Sequence, residues 1–180
     1  MLQTVTGTFF YFAYGSNLLK KRIHINNPSA VFVGIGRLND HTLDFFKYSE
    51  KWCGAVATVV PADGASVWGA VWNIDSSGIP ALDKQEGVST NTYFPKTVAV
   101  CKCDEAEIEC RTYQLTDIPT GNIRGHDTEL PFERRPSITY LDCIIKGAME
   151  CKLPEDYIEN LKNVPHNGQA SPHMQELLGG

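Results

Sequence analysis

The chain has 180 residues, 42% of them hydrophobic and 21% charged, with a formal net charge of −5. This length suits one globular domain, and the negative charge argues against nucleic acid as the main partner. The longest purely apolar run, Phe9 to Tyr14, is far too short to span a membrane.

The first informative pattern lies at the start of the chain. An aromatic strand at about 8–14 ends at Gly15-Ser16-Asn17, and a short helix is expected over about 17–25. Gly15 permits a tight turn, and Ser16 or Asn17 can cap the helix. A helix that begins at such a turn presents unpaired backbone N–H groups, which attract carboxylates, phosphates and oxyanions. The turn therefore predicts an anion-binding site.

The first two thirds of the chain are rich in strand patterns. Further aromatic and β-branched runs occur at about 30–38, 41–47, 54–60, 66–74, 93–103 and 108–115. A helix at about 76–86 interrupts them, with Pro80 in its first turn and Gly87 at its end. We therefore expect an α+β fold, in which a mostly antiparallel sheet closes into a barrel with helices packed around it.

The last third begins with a long loop at 116–136, of a kind that often serves as a lid or binding segment. Helical spacing then places Ile138, Leu141, Ile145 and Ala148 on one face. A final amphipathic helix reaches about residue 163. The prediction is one domain over residues 1–163 and a loosely held tail over 164–180.

The second informative pattern surrounds Glu86, directly before the helix-ending Gly87. The negative end of a helix dipole disfavours a carboxylate there. If Glu86 is also partly buried, its pKa should rise towards the range that suits proton transfer near neutral pH. Alone, the pattern equally fits a solvated surface glutamate.

The basic residues and cysteines are expected to play structural roles. Lys20-Lys21-Arg22 is interpreted as a solvated helix face. Arg134 and Arg135 could steer an anionic substrate but are more simply solvated loop charges. The six cysteines lack zinc-type spacing, so neither a metal nor a disulfide is expected in the reducing cytosol, the compartment predicted because the N-terminus has no basic signal region.

Taken together, the two patterns resemble the gamma-glutamylcyclotransferase family. The resemblance is carried by Tyr-Phe-Ala-Tyr-Gly-Ser-Asn-Leu at 11–18 and by Leu-Asp-Lys-Gln-Glu-Gly at 82–87. Pro28-Ser29-Ala30, the strand at 67–72 and Lys146-Gly147-Ala148 also fit the family. The similarity extends to about residue 163.

The resemblance implies an activity and a set of site residues. A gamma-glutamyl amino acid would cyclise to 5-oxoproline and release the free amino acid, without a cofactor and with Glu86 moving the protons. The implied substrate-binding residues are Tyr11, Phe12, Ala13, Tyr14, Gly15, Ser16, Asn17 and Tyr140. It also implies a homodimer.

Two alternatives stay open from the residues alone. The same cyclisation could act on glutathione or on gamma-glutamylamines. A non-catalytic binding protein could keep the fold and pocket, although it would have no chemical reason to keep Glu86 at an unfavourable helix end.

Overall fold

The computed structural model describes residues 7–117 and 130–179. Its two longest strands form a bent antiparallel pair, β2 (Val31–Ser49) and β3 (Gly54–Asp75). The sequence predicted two separate strands in each of these segments. The breaks are instead bulges, and one lies between Asn39 and His41, where Asp40 has a φ of 58° opposite the Pro61 region. A bulge lets a strand bend and admits proline without ending the strand.

The expected barrel is confirmed. Strand β1 (Thr8–Ala13), strand β4 (Tyr93–Lys102) and strand β5 (Glu107–Leu115) complete a closed barrel in the order β1-β3-β2-β4-β5. All pairs are antiparallel except β1 with β5, where Tyr11 lies opposite Arg111. The parallel contact closes the barrel beside the end of β1, which is where the chain turns towards the first helix.

Four helices pack around the barrel in the order of the chain. They are α1 (Lys20–Asn26), α2 (Ile79–Gln85), α3 (Ile138–Cys151) and α4 (Glu155–Lys162). Short 3-10 turns precede α1 at Ser16–Leu18 and α2 at Ser76–Gly78. Within residues 7–117 and 130–179, no helix has the length and apolar character needed to cross a membrane.

Helix α3 buries a different face from the one that its aliphatic residues predict. Ile138 is 38% exposed and Ile145 is partly exposed, although Leu141 and Ala148 are buried. The face that packs inward also carries Tyr140, Ile144, Gly147 and Cys151. The reason is the close approach of the turn before α1, since a Cβ on Gly147 would lie 2.5 Å from the Leu19 amide nitrogen. Gly147 thereby sets α3, and Tyr140 with it, against the Gly15-Ser16-Asn17 turn.

Most of the predicted 116–136 loop lies outside the described residues. At its C-terminal end, the prediction of a solvated Arg134 is wrong, because this side chain is 8% exposed and forms an ion pair with the buried Asp44. Its Nε also donates to the Phe45 carbonyl oxygen at 3.0 Å. A buried carboxylate needs a paired charge, so Arg134 fastens this segment to β2 and does not steer substrate.

The C-terminal segment differs from the expected loose tail. Residues 172–178 form helix α5 (Pro172–Leu178), with Ser171 as its N-cap and Met174 fully buried. The Ser171 amide donates to Thr139 Oγ1 at 2.8 Å, and its hydroxyl donates to the Lys51 carbonyl oxygen at 2.7 Å. The segment has too few apolar residues for a clear periodicity, but these long-range contacts order it.

Met174→Ala tests whether α5 is part of the domain. We expect a loss of about 2–4 kcal/mol in the free energy of unfolding, because the change leaves a cavity in a filled core. Urea denaturation measures it. The matched control is Leu177→Ala on the same helix, where a side chain that is 41% exposed should cost less than about 1 kcal/mol. Equally small losses for both variants would show that α5 contributes no core packing.

Candidate active site

A cavity of about 330 Å³ opens where β1 turns towards α1, and we call it the inner cavity. Its lining combines tyrosines with the turn and one carboxyl group. The lining residues are Tyr11, Tyr14, Gly15, Ser16, Asn17, Ala57, Glu86, Tyr93, Tyr113 and Tyr140. The structure thus brings together every residue implied by the sequence resemblance except Phe12 and Ala13.

Phe12 and Ala13 belong to the barrel core. Phe12 is fully buried, and its ring lies so close to Gly69 that a Cβ there would approach it to 2.6 Å. Ala13 is 1% exposed and pairs with Ala70 of β3. Because they are held within the packed strand pair, these two side chains do not reach the inner cavity, and their predicted contact with substrate is not supported.

The turn leaves backbone donors at the cavity, although it does so without a side-chain cap. The Leu18 amide donates to the Gly15 carbonyl oxygen at 3.1 Å, and the Leu19 amide donates to that of Ser16 at 3.3 Å. The amides of Ser16 and Asn17 have no partner within the described part of the chain. Gly15 has a φ of −115°, so positive φ is not what calls for glycine. Its missing side chain instead leaves room, since a Cβ would lie 3.4 Å from the Tyr140 hydroxyl.

Asn17 is not the helix cap that the sequence suggested. Its side chain is buried and connects two elements, donating from Nδ2 to the Tyr11 hydroxyl and accepting at Oδ1 from Gln85 Nε2, both at 3.1 Å. Its carbonyl oxygen accepts from Trp72 Nε1 at 3.1 Å. Asn17 therefore fixes the turn to β1, to α2 and to β3 at once.

Helix α2 is held from two sides, and this holding positions Glu86. Gln85 reaches Asn17 on one side, while Asp83 accepts from Arg111 Nη2 at 2.7 Å and from the Tyr113 hydroxyl on the other. Glu86 is the residue that ends α2, and Gly87 follows with a φ of 64°, in the left-handed region that glycine tolerates. The motif at 82–87 is thus a clamp for the helix end as well as the source of the carboxyl group.

The environment of Glu86 raises its pKa to about 7. Burial is the main cause, and the positive charges of Arg22 and Lys51 partly oppose it. A carboxyl group with such a pKa exchanges protons readily near neutral pH. The sequence argument anticipated this direction from the helix end and partial burial.

The surrounding tyrosines supply neutral hydrogen-bond donors. Burial raises the pKa of Tyr11, Tyr93 and Tyr140 well above the ordinary value, so their hydroxyls stay protonated. The Tyr140 hydroxyl accepts from the Ala57 amide at 2.9 Å, which leaves its own proton without an acceptor in residues 7–117 and 130–179. Tyr93 donates to the Ala57 carbonyl oxygen at 2.7 Å. Tyr140 can therefore donate to a bound ligand, while Tyr93 braces the cavity wall.

A wider outer chamber of about 810 Å³ adjoins the inner cavity. The two share Ser16, Glu86, Tyr93 and Tyr140, so Glu86 stands between them. Sequence reasoning missed Tyr93, which reads as an ordinary strand residue, and it placed Arg22 on a solvated face. Arg22 is 3% exposed and lines the outer chamber. Its spacing of four residues from the buried Leu18 is the pattern that could have shown this.

The comparisons with known proteins agree with this geometry. Residues 66–161 match the AIG2-like family, which gives the broad class of the barrel. Gamma-glutamylcyclotransferase of Mus musculus is 40% identical over 178 residues, covering 95% of this chain and 88% of that protein, and the Homo sapiens protein of the same name is 38% identical with the same coverage. A solved gamma-glutamyl cyclotransferase structure matches with a TM-score of 0.84 and 37% identity, over 96% of this chain and 99% of the other. The chain belongs to the gamma-glutamylcyclotransferase family, as its two motifs predicted.

Asn17→Ala tests the connection between the turn and α2. We expect it to lower the free energy of unfolding by about 1–3 kcal/mol, because the Tyr11 hydroxyl and the Gln85 amide lose a buried partner. Chemical denaturation gives the value. Asn26→Ala is the matched control, since it removes the exposed hydrogen bond on the other side of Gln85 and should cost about 0.5 kcal/mol or less. A loss no larger than the control's would contradict the role given to Asn17.

Proposed function

We propose that this protein is a gamma-glutamylcyclotransferase that converts gamma-glutamyl amino acids into 5-oxoproline and the free amino acid. The observation that carries the proposal is the placement of Glu86, with a pKa of about 7, at the junction of an enclosed polar cavity and an open chamber. Membership of the family, at 40% identity over nearly the whole chain, supports the same reaction.

The reaction needs a group that both accepts and donates a proton. The α-amine of the glutamyl group attacks its own γ-carbonyl carbon, a new C–N bond closes the five-membered ring, and the original amide C–N bond breaks. Glu86 as carboxylate takes a proton from the attacking ammonium group and, once protonated, gives it to the leaving amine. Because nucleophile and electrophile belong to one molecule, no covalent intermediate with the protein is required.

The cavity supplies the remaining requirements. Cyclisation needs the flexible glutamyl chain to be held in a folded conformation, which lowers the entropic barrier. In this proposal the Ser16 and Asn17 amides bind the α-carboxylate or the developing oxyanion. The free hydroxyl proton of Tyr140 provides a second donor to the substrate, and Tyr11 lines the cavity beside Asn17.

Glu86→Gln tests the assignment of the proton carrier. The amide keeps the shape of the side chain but cannot take a proton, so we expect kcat for release of 5-oxoproline from gamma-glutamyl-alanine to fall by about 10²–10⁴-fold. A loss below about tenfold would remove Glu86 from this role.

Two controls accompany this measurement. The variant should remain folded and, at pH 8, be no less stable than the wild type, because the change removes a charge that is costly to bury. Wild-type protein with no turnover of any gamma-glutamyl substrate would instead favour a non-catalytic binding function.

The pH dependence of kcat/KM provides an independent test. Burial raises the pKa of Glu86, so the carboxylate that acts as base is scarce below pH 7 and abundant above it. We expect kcat/KM to rise about tenfold per pH unit up to about pH 7 and then level off. The residual activity of Glu86→Gln should lack this step. A wild-type profile that is flat between pH 5.5 and 8.5 would contradict the assignment.

A further inference from the structure

Arg22 is a buried cation that the fold itself does not explain. Its side chain is 3% exposed, and its guanidinium carbon lies 5.7 Å from the centre of the Trp52 ring. Among the described residues it has no ion pair or side-chain hydrogen bond, and its Nε is fully enclosed without a partner. Burying a charge is costly unless it is paired. An unpaired buried guanidinium at the wall of a chamber indicates that the missing partner is a ligand.

The charge around the chamber indicates the sign of that ligand. The described residues that line it include three cations, Arg22, Lys47 and Lys51, and a single carboxyl group, that of Glu86. Lys51 is exposed on the opposite side of the chamber and feels both Arg22 and Glu86. An excess of positive charge in a partly enclosed site favours an anion. The planar guanidinium of Arg22 is suited to bidentate binding of a carboxylate.

The position of Glu86 indicates which part of a substrate enters the chamber. In the proposed reaction Glu86 gives its proton to the leaving nitrogen, so that atom must lie beside Glu86. The inner cavity holds the glutamyl group on one side of this atom, and the outer chamber is the space on the other side. In a gamma-glutamyl amino acid, the carboxylate of the leaving group is only one carbon away from that nitrogen.

Resting on the proposed function, we propose that the outer chamber binds the α-carboxylate of the leaving amino acid, with Arg22 as its specificity-determining anchor. The chamber then selects between gamma-glutamyl compounds. A gamma-glutamylamine has no carboxylate at this position. In glutathione the corresponding carboxyl group is part of a peptide bond, and the free carboxylate lies one residue further out. Both are therefore expected to be poorer substrates than gamma-glutamyl amino acids.

The test compares gamma-glutamyl-alanine with gamma-glutamyl-alaninamide, which differ only in this carboxylate. For the wild-type protein we expect kcat/KM to be about 10- to 100-fold higher for the acid, the range of a charged hydrogen-bonded contact. In Arg22→Met, which keeps an unbranched apolar side chain near Trp52, this preference should fall to within about threefold. Arg22→Lys, which keeps the charge without the fork, should retain part of it.

The ratio of the two substrates is the decisive quantity. Arg22 also lowers the pKa of Glu86, so its removal slows proton transfer for the acid and the amide alike, and the ratio cancels that effect. Lys21→Met is the matched control, because it removes an exposed charge from the same helix outside the chamber lining and should leave the ratio unchanged.

The outcomes separate this inference from the proposed function. If the wild-type protein processes the acid and the amide equally well, the carboxylate is not bound in the chamber, whether or not the Arg22 variants fold. If Arg22→Met loses the same factor on both substrates, Arg22 acts only through Glu86 or through the glutamyl group, and the inference is overturned. If neither substrate yields 5-oxoproline, the proposed function itself fails.

Discussion

The arrangement of the site depends on the buried amide of Asn17. This side chain joins the Tyr11 hydroxyl on β1 to Gln85 on α2, and its backbone carbonyl accepts from Trp72 on β3. Three elements that are distant in sequence are thereby held around one cavity. Since a buried polar group that loses its partner costs free energy, the network rigidly orients the turn relative to the end of α2. The separation between the turn's amides and Glu86 follows from it.

Charge balance is the second constraint on the site. Burial drives Glu86 towards its neutral form, and Arg22 and Lys51 counter this drive, leaving its pKa at about 7. Without the cations the carboxyl group would remain protonated at neutral pH and could not act as a base. With less burial it would be too weak a base for the ammonium group. Arg22 therefore has two consequences, one for the ionisation of Glu86 and one for the charge of the chamber.

The barrel provides the walls that these groups need. Bulges allow β2 and β3 to bend and pair along most of their length, and β1 closes the barrel between β3 and β5. Glycine at position 147 then lets α3 approach the turn, which brings Tyr140 over Gly15 and against Ala57. The cavity is consequently enclosed by strands and a helix, and its tyrosines are rigidly held.

Local sequence patterns determined the family, the α+β barrel class, the Gly15-Ser16-Asn17 turn and the position of Glu86 before Gly87, because turns and helix ends are encoded by adjacent residues. They failed where burial depends on residues far apart in the chain. Arg22 and Arg134 look like surface charges, yet Trp52 and Asp44 pack against them. Phe12 and Ala13 lie within the motif but face the core, Tyr93 reads as an ordinary strand residue, and residues 172–178 fold only because Thr139 and Lys51 supply partners for Ser171. Only the tertiary structure decided which side chains are removed from water, and that removal sets the pKa of Glu86 and leaves Arg22 without a partner.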